Sequence, residues 1–166
     1  MFKKLYDKLY SPIKLHSSAM IDATEEEVFD QWFDTKKFTK MLNCLFFFPF
    51  DFVTCKSDYH EVGVITHLFF LLPAFYYFTK IRECKRPEYI KIDVGGGITG
   101  KLEVIVEKRG DKIFCSFGGE VKGINLFLHL YYKYFLAIPH DLFFMRFMAF
   151  KRIQKNILKE RKLKAN

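Results

Sequence analysis

From about residue 45 to residue 121 the chain tends to be apolar at every second position. That period belongs to β-strands, whose side chains point alternately to two faces. Glu88-Tyr89-Ile90-Lys91-Ile92-Asp93-Val94 alternates cleanly, and Lys101-Leu102-Glu103-Val104-Ile105-Val106-Glu107 does so with Ile105 as the exception. Lys108-Arg109-Gly110-Asp111-Lys112 is a polar stretch with a central glycine, a hairpin signal. The next strand is predicted at 113–121. Earlier strands are predicted at 45–56, 62–72 and 75–84, the last two divided by Pro73. One face of each alternating strand is apolar and the other charged. Such a set predicts an antiparallel sheet covered on one side only.

The period is different on either side of this block. Lys14–Asp22 reads as a strand. Thr24 and Glu27 then form a capping box, with Glu25, Glu26 and Glu27 at the positive end of the helix dipole. Val28, Phe29, Trp32 and Phe33 follow on one helical face. Asp34-Thr35 offers a second N-cap, with Phe38, Met41 and Leu42 as the apolar stripe of a second short helix. From Pro139 to Leu163 there is no further Gly or Pro, and a long helix is expected. The nature of 124–138 stays open between strand, loop and extra helical turns. The order is strand, two short helices, six strands, long helix.

With 166 residues and half of them apolar, the chain has the size of one domain and excludes a disordered one. No repeat or low-complexity linker divides it, so one domain is expected over residues 1–166, with 1–11 as an N-terminal extension. The net charge of +8 is uneven. Residues 1–20 carry +3, 151–166 carry +6 and the body between them −1. Cys44, Cys55, Cys84 and Cys115 form no CxxC pair, which removes zinc-ribbon and thioredoxin chemistry. The start of the chain lacks the apolar run of a signal peptide. An intracellular, cytoplasmic protein with reduced thiols is expected. Residues 62–79 contain no Asp, Glu, Lys or Arg, but Gly63, His67 and Pro73 favour two strands over a membrane-spanning helix.

The segment Ala19–Leu42, AMIDATEEEVFDQWFDTKKFTKML, resembles the opening of the START/polyketide-cyclase/birch-pollen-allergen superfamily. Ala23, Thr24, Glu26, Val28, Phe29, Trp32 and Asp34 carry the likeness. The strand count and the terminal helix extend it to about residues 12–163. The resemblance implies an α+β helix-grip fold. A curved antiparallel sheet of about seven strands would wrap a long C-terminal helix, with a cavity between them. It is nearly silent on activity, because these residues build the helix pair.

Sites known from other enzymes find little support. Gly95-Gly96-Gly97-Ile98-Thr99-Gly100-Lys101 matches a phosphate loop, but Leu102 stands where a magnesium-binding Ser or Thr belongs, and a strand follows it. A glycine-rich bend that lets the sheet curve is the simpler reading. No cofactor is implied. His16, His60, His67, His129 and His140 show no metal-ligand spacing, so no metal site is expected. His60 is expected to face solvent at a turn. His67 reads either as a core histidine with one partner or as a polar group in a ligand cavity. No Gly-x-Ser-x-Gly elbow is present.

The aromatic load is more telling: 21 Phe, nine Tyr and one Trp. Leu45–Phe50, Leu68–Phe78 and Leu142–Phe150 hold more large apolar side chains than one buried face needs. The expected function is binding or transport of a hydrophobic small molecule or lipid between sheet and helix. By strand alternation Tyr77, Ile92, Val104, Cys115 and Phe117 should face inward. Phe143, Phe147 and Phe150 would contribute from the helix, and Trp32, Phe33 and Phe38 would sit at the opening. The rival is an enzyme of the cyclase, aromatase or dehydratase type, for which His67 and Tyr77 are the candidates. A third class is a peripheral membrane or assembly subunit. Residues 151–166 are expected to form the basic end of the last helix, with Lys151, Lys155, Lys159 and Lys162 on one face suited to an anionic membrane. Nucleic acid has little support, since no recognition motif accompanies the charge.

Overall fold

The computed structural model describes residues 9–43, 53–69, 76–137, 145 and 149–165. Strand β1 (Ile13–Ile21) leads into helices α1 (Glu25–Phe33) and α2 (Thr35–Asn43). Strands β2 (Val53–Cys55), β3 (Ile65–Phe69), β4 (Tyr76–Lys85), β5 (Tyr89–Gly96), β6 (Ile98–Arg109) and β7 (Lys112–Gly123) follow. Helix α3 (Leu126–Tyr131) continues into π-helical turns (Tyr132–Leu136), and α4 (Phe150–Ala165) ends the chain. The seven strands form one antiparallel sheet in the order β1-β7-β6-β5-β4-β3-β2. This is the helix-grip architecture expected from the sequence.

The two helices after β1 start where the capping chemistry put them, with the Asp34 carboxylate accepting from the Lys37 amide at 3.0 Å, while the expected start of the last helix at Pro139 lies outside the described residues. Thr24 accepts from the Glu27 amide at 3.3 Å, and the Glu27 carboxylate accepts from the Thr24 amide at 2.9 Å. The same carboxylate receives Arg161 of α4 through two nitrogens, at 2.8 and 2.6 Å. Arg161 holds the Glu27 carboxyl well below the usual carboxylate range, at about 2, with Thr24 helping and partial burial opposing. The open segment 124–138 turns out helical through 126–136. Asn125 caps it by accepting from the Leu128 amide at 2.9 Å.

Register gives the two faces of the sheet. Directly opposed residues share a face, so the pairs Leu68–Tyr77, Thr79–Val94, Ile92–Leu102, Val104–Phe117 and Ala19–Cys115 mark the inner one. Glycines lie where this face curls most. Gly119 has φ +145, and a Cβ there would stand 2.1 Å from the Lys101 carbonyl oxygen. A Cβ on Gly100 would stand 2.2 Å from that of Glu120. The close approach of β6 and β7 therefore requires bare backbone at both positions, in keeping with a bend in place of a phosphate loop.

The inner face is covered by α1 and α4. Val28, Phe29 and Trp32 of α1 meet Phe150, Ile153 and Ile157 of α4 over Ile21, Val104, Val106, Ile113, Cys115 and Phe117. A second packed cluster joins Ile13, Leu15, Val94, Ile98 and Val121 to Tyr132 and Ala137.

Because the Glu27 carboxyl is depressed, its contribution is complete above the unfolded value near 4.5 and is lost as pH falls towards about 2. Glu27→Gln is expected to lower stability by about 1 kcal/mol at neutral pH and to flatten the acid limb of a urea-unfolding pH series. An unchanged acid limb would show that the pair contributes nothing.

Candidate functional site

The inner face is half-covered where its two buried clusters adjoin, and that decides where a ligand could sit. The buried clusters described above do not merge. Leu102 packs against both, Ile92 against the first and Tyr77 against the second, and all three are only half-buried. Ile92 and Leu102 are cross-strand partners, and Tyr77 stands opposite Gly96, which brings no side chain to this face. Tyr77, Ile92 and Leu102 thus mark a strip of the inner face in which Thr79 and the buried Val94 stand between Tyr77 and the Ile92–Leu102 pair, and these three side chains face the helices and retain accessible surface. The Tyr77 hydroxyl is pushed well above its ordinary value by burial, with Tyr132 adding to the effect. It stays a protonated phenol, able to donate a hydrogen bond.

The other residues expected to line a cavity divide differently. Val104, Cys115 and Phe117 do face inward, but they are buried in the first cluster. Burial pushes the Cys115 thiol up to about 12, with Trp32 opposing, so it remains a thiol. Trp32 is 3% exposed and lies deep, away from any opening. Its ring stacks on Phe117 at 6.0 Å and meets Phe150 edge-on at 6.3 Å. Phe150 is likewise core, at 3% exposure. Phe33 and Phe38 are half-buried near the helix junction. Phe33 is sandwiched by Tyr59 at 5.4 Å and the Arg86 guanidinium at 5.2 Å, while Phe38 packs on Trp32. Phe143 and Phe147 lie outside the described residues. Leu102 was overlooked among the sequence candidates, although it shares the alternation that selects Val104.

Both histidine expectations change. His60 is 3% exposed, not solvent-facing. Its Nδ1–H donates to the Trp32 carbonyl at 2.5 Å, which leaves Nε2 to accept from the Thr66 hydroxyl at 3.0 Å. Around it, the His60 amide donates to Phe33 O at 2.7 Å, the Thr35 amide to Asp58 O at 3.0 Å, and the Thr35 hydroxyl to Ser57 O. The segment 57–60 thus satisfies the polar groups left by the junction of α1 and α2. His67 pairs with Phe78, one step out of phase with Leu68–Tyr77, and so lies on the outer face. There its Nδ1 bonds the Tyr76 hydroxyl at 2.8 Å. His67 and Tyr77 are therefore on opposite sides of the sheet and do not form a catalytic pair.

Elsewhere, a groove of about 520 Å³ beside Pro12, Thr99, Lys101, Glu120 and Lys122 opens widely to solvent on the outer face. Among the described residues no group of three His, Cys, Asp or Glu side chains could hold a metal ion. No helix among them is long and apolar enough to cross a membrane.

Burial depresses the His60 pKa, against the pull of the Trp32 carbonyl and Asp34. The folded state therefore favours neutral His60. Its contribution is complete above the unfolded value near 6.5 and declines as pH falls below it. His129, buried beside Lys133 and Lys122, shifts in the same direction. Thermal midpoints are expected to fall between pH 7.5 and pH 5, and His60→Gln should flatten part of that slope. An identical slope in the variant would remove His60 from the account.

Comparison with solved structures finds the same architecture over nearly the whole chain. An uncharacterised protein of Rhizobium leguminosarum matches with a TM-score of 0.64 at 9% identity, covering 90% of this chain and 96% of its own. Norcoclaurine synthase of Thalictrum flavum, solved with dopamine and hydroxybenzaldehyde, matches with a TM-score of 0.62 at 17% identity, covering 91% and 90%. A conserved protein of Geobacillus kaustophilus matches with a TM-score of 0.61 at 19% identity, covering 89% and 96%. Likeness at such identities establishes the fold alone. No protein-family model and no curated protein matches the chain.

Proposed function

We propose that this helix-grip domain binds a hydrophobic small molecule or lipid between the inner face of its sheet and the covering helices. The observation that carries this reading is the half-buried strip Tyr77–Ile92–Leu102 between two packed clusters. A core serving stability alone gains from covering such side chains, since apolar surface left accessible forfeits about 25 cal/mol per Å². Affinity would come from burying an apolar ligand on Ile92 and Leu102. Orientation would come from a few polar side chains beside them, as in apolar ligand sites generally. Norcoclaurine synthase, solved with two aromatic molecules, shows that a relative in fold accommodates small aromatic compounds.

The enzymatic alternative requires a proton acceptor beside Tyr77. His67 does not supply it from the outer face, and both His60 ring nitrogens are engaged. The binding reading needs no such group.

Trp32 is the one tryptophan of the chain and packs within the first cluster, so its emission reports on the interior. Titration with uncharged N-phenyl-1-naphthylamine is expected to give saturable 1:1 binding with energy transfer from Trp32. Enlarging the half-buried side chains with Ile92→Phe and Leu102→Phe should weaken binding about tenfold, the equivalent of about 1.4 kcal/mol. The thermal midpoint reports whether the enlarged variant still folds. Absence of saturable binding, or equal binding by the folded, enlarged variant, overturns the proposal.

A further inference from the structure

The last helix has two unlike sides. Ile153 and Ile157 enter the core. Glu160, the one acidic residue after position 150, is held at the helix pair by Lys37 at 2.9 Å and accepts from Gln31 at 3.3 Å. Arg161 is committed to Glu27, and Gln154 exchanges hydrogen bonds with the Asp22 backbone at 3.1 and 3.3 Å. The contacts that seat α4 thus engage its acid and leave a face with no negative charge.

That face carries Lys151, Lys155, Lys159 and Lys162, all exposed, at spacings of four, four and three residues. On a helix they line one side over roughly 16 Å. Leu158 lies among them, 47% exposed, and Leu163 follows at 68%. Among the described residues, Lys155, Lys159 and Lys162 make no ion pair. The helix dipole accounts for a cation in the last turn, such as Lys162. It does not reach Lys151 or Lys155, because its effect fades beyond one turn. The body of the chain gives no general reason for the charge, since residues 21–150 carry a net −1.

We propose that this face of α4 docks on an anionic lipid surface, with the lysines at the headgroups and Leu158 entering the boundary with the acyl chains. A straight, coplanar row of cations suits a flat surface of mobile charges. Leu158 favours lipid over nucleic acid, because a phosphate backbone offers an exposed leucine nothing apolar to enter. This surface is separate from the Tyr77–Ile92–Leu102 strip, and each can fail without the other.

The test is co-sedimentation of the full chain with sucrose-loaded vesicles. One set is pure phosphatidylcholine, and the other contains 30% phosphatidylserine, each at 0.1 M and 0.5 M salt. Binding is expected only to the anionic vesicles and should be largely lost at high salt. Each lysine near such a surface raises partitioning about fivefold. The triple variant Lys155→Gln/Lys159→Gln/Lys162→Gln should therefore bind about a hundredfold more weakly. Leu158→Gln should weaken binding several-fold at unchanged charge. All four side chains are exposed, so the thermal midpoint should be unchanged, and the salt series on the unaltered chain tests the charge term without any substitution. Equal binding to both vesicle types, full binding by the triple variant, or indifference to Leu158→Gln overturns the proposal. So does tighter binding of a single-stranded oligonucleotide through the same lysines.

Discussion

The Glu27 carboxylate closes the N-terminus of α1 through Oε2 and holds Arg161 of α4 through both oxygens. This one group joins a local device, the capping box, to a contact between residues 134 positions apart. Charge-assisted bonds to two nitrogens of one guanidinium fix direction as well as distance. Once they form, the rotation of α4 about its axis is set. Ile153 and Ile157 turn to the sheet, Glu160 turns to Lys37 and Gln31, and the lysine row turns to solvent. The proposed lysine surface depends on that rotation.

The covering of the sheet is uneven. Helices α1 and α4 converge over Trp32, where Phe117 and Phe150 close around the indole. The turns after α3 close a second cluster at the other end of the inner face. Tyr77, Ile92 and Leu102 pack against these clusters and stay half-buried.

Much of this was legible in the residues. Thr24 and Glu27 announced the helix start, and Gly110, with φ +63, sits in the β6–β7 turn. Alternation placed Tyr77, Ile92, Val104, Cys115 and Phe117 on one face, and the register agrees. What alternation could not rank was depth. Ile92 and Val104 have the same pattern, yet one is half-buried and the other buried, because the covering helices fall unevenly along the strands. His67 was misplaced because the strand containing it is separated from Tyr77 by an interruption at Pro73. Phase does not carry across such a break, and only the pairing Leu68–Tyr77 restores it. His60 looked exposed because a turn beside a glutamate usually is. The free carbonyl of Trp32 at a helix end, distant in sequence, gave it a buried partner.

The sequence by itself determined β1, the two helices after it, the inner face of the sheet and the segregation of charge to the chain ends, but not the helical turns of 126–136. Each of these follows from spacing within one segment, which is covalent information. Tertiary structure alone decided which inward residues stay accessible, which histidine is buried, and which cations of the last helix are committed and which face outward. Those outcomes depend on the distance between segments that packing brings together, such as Glu27 to Arg161 or Trp32 to His60, and no local period encodes that distance.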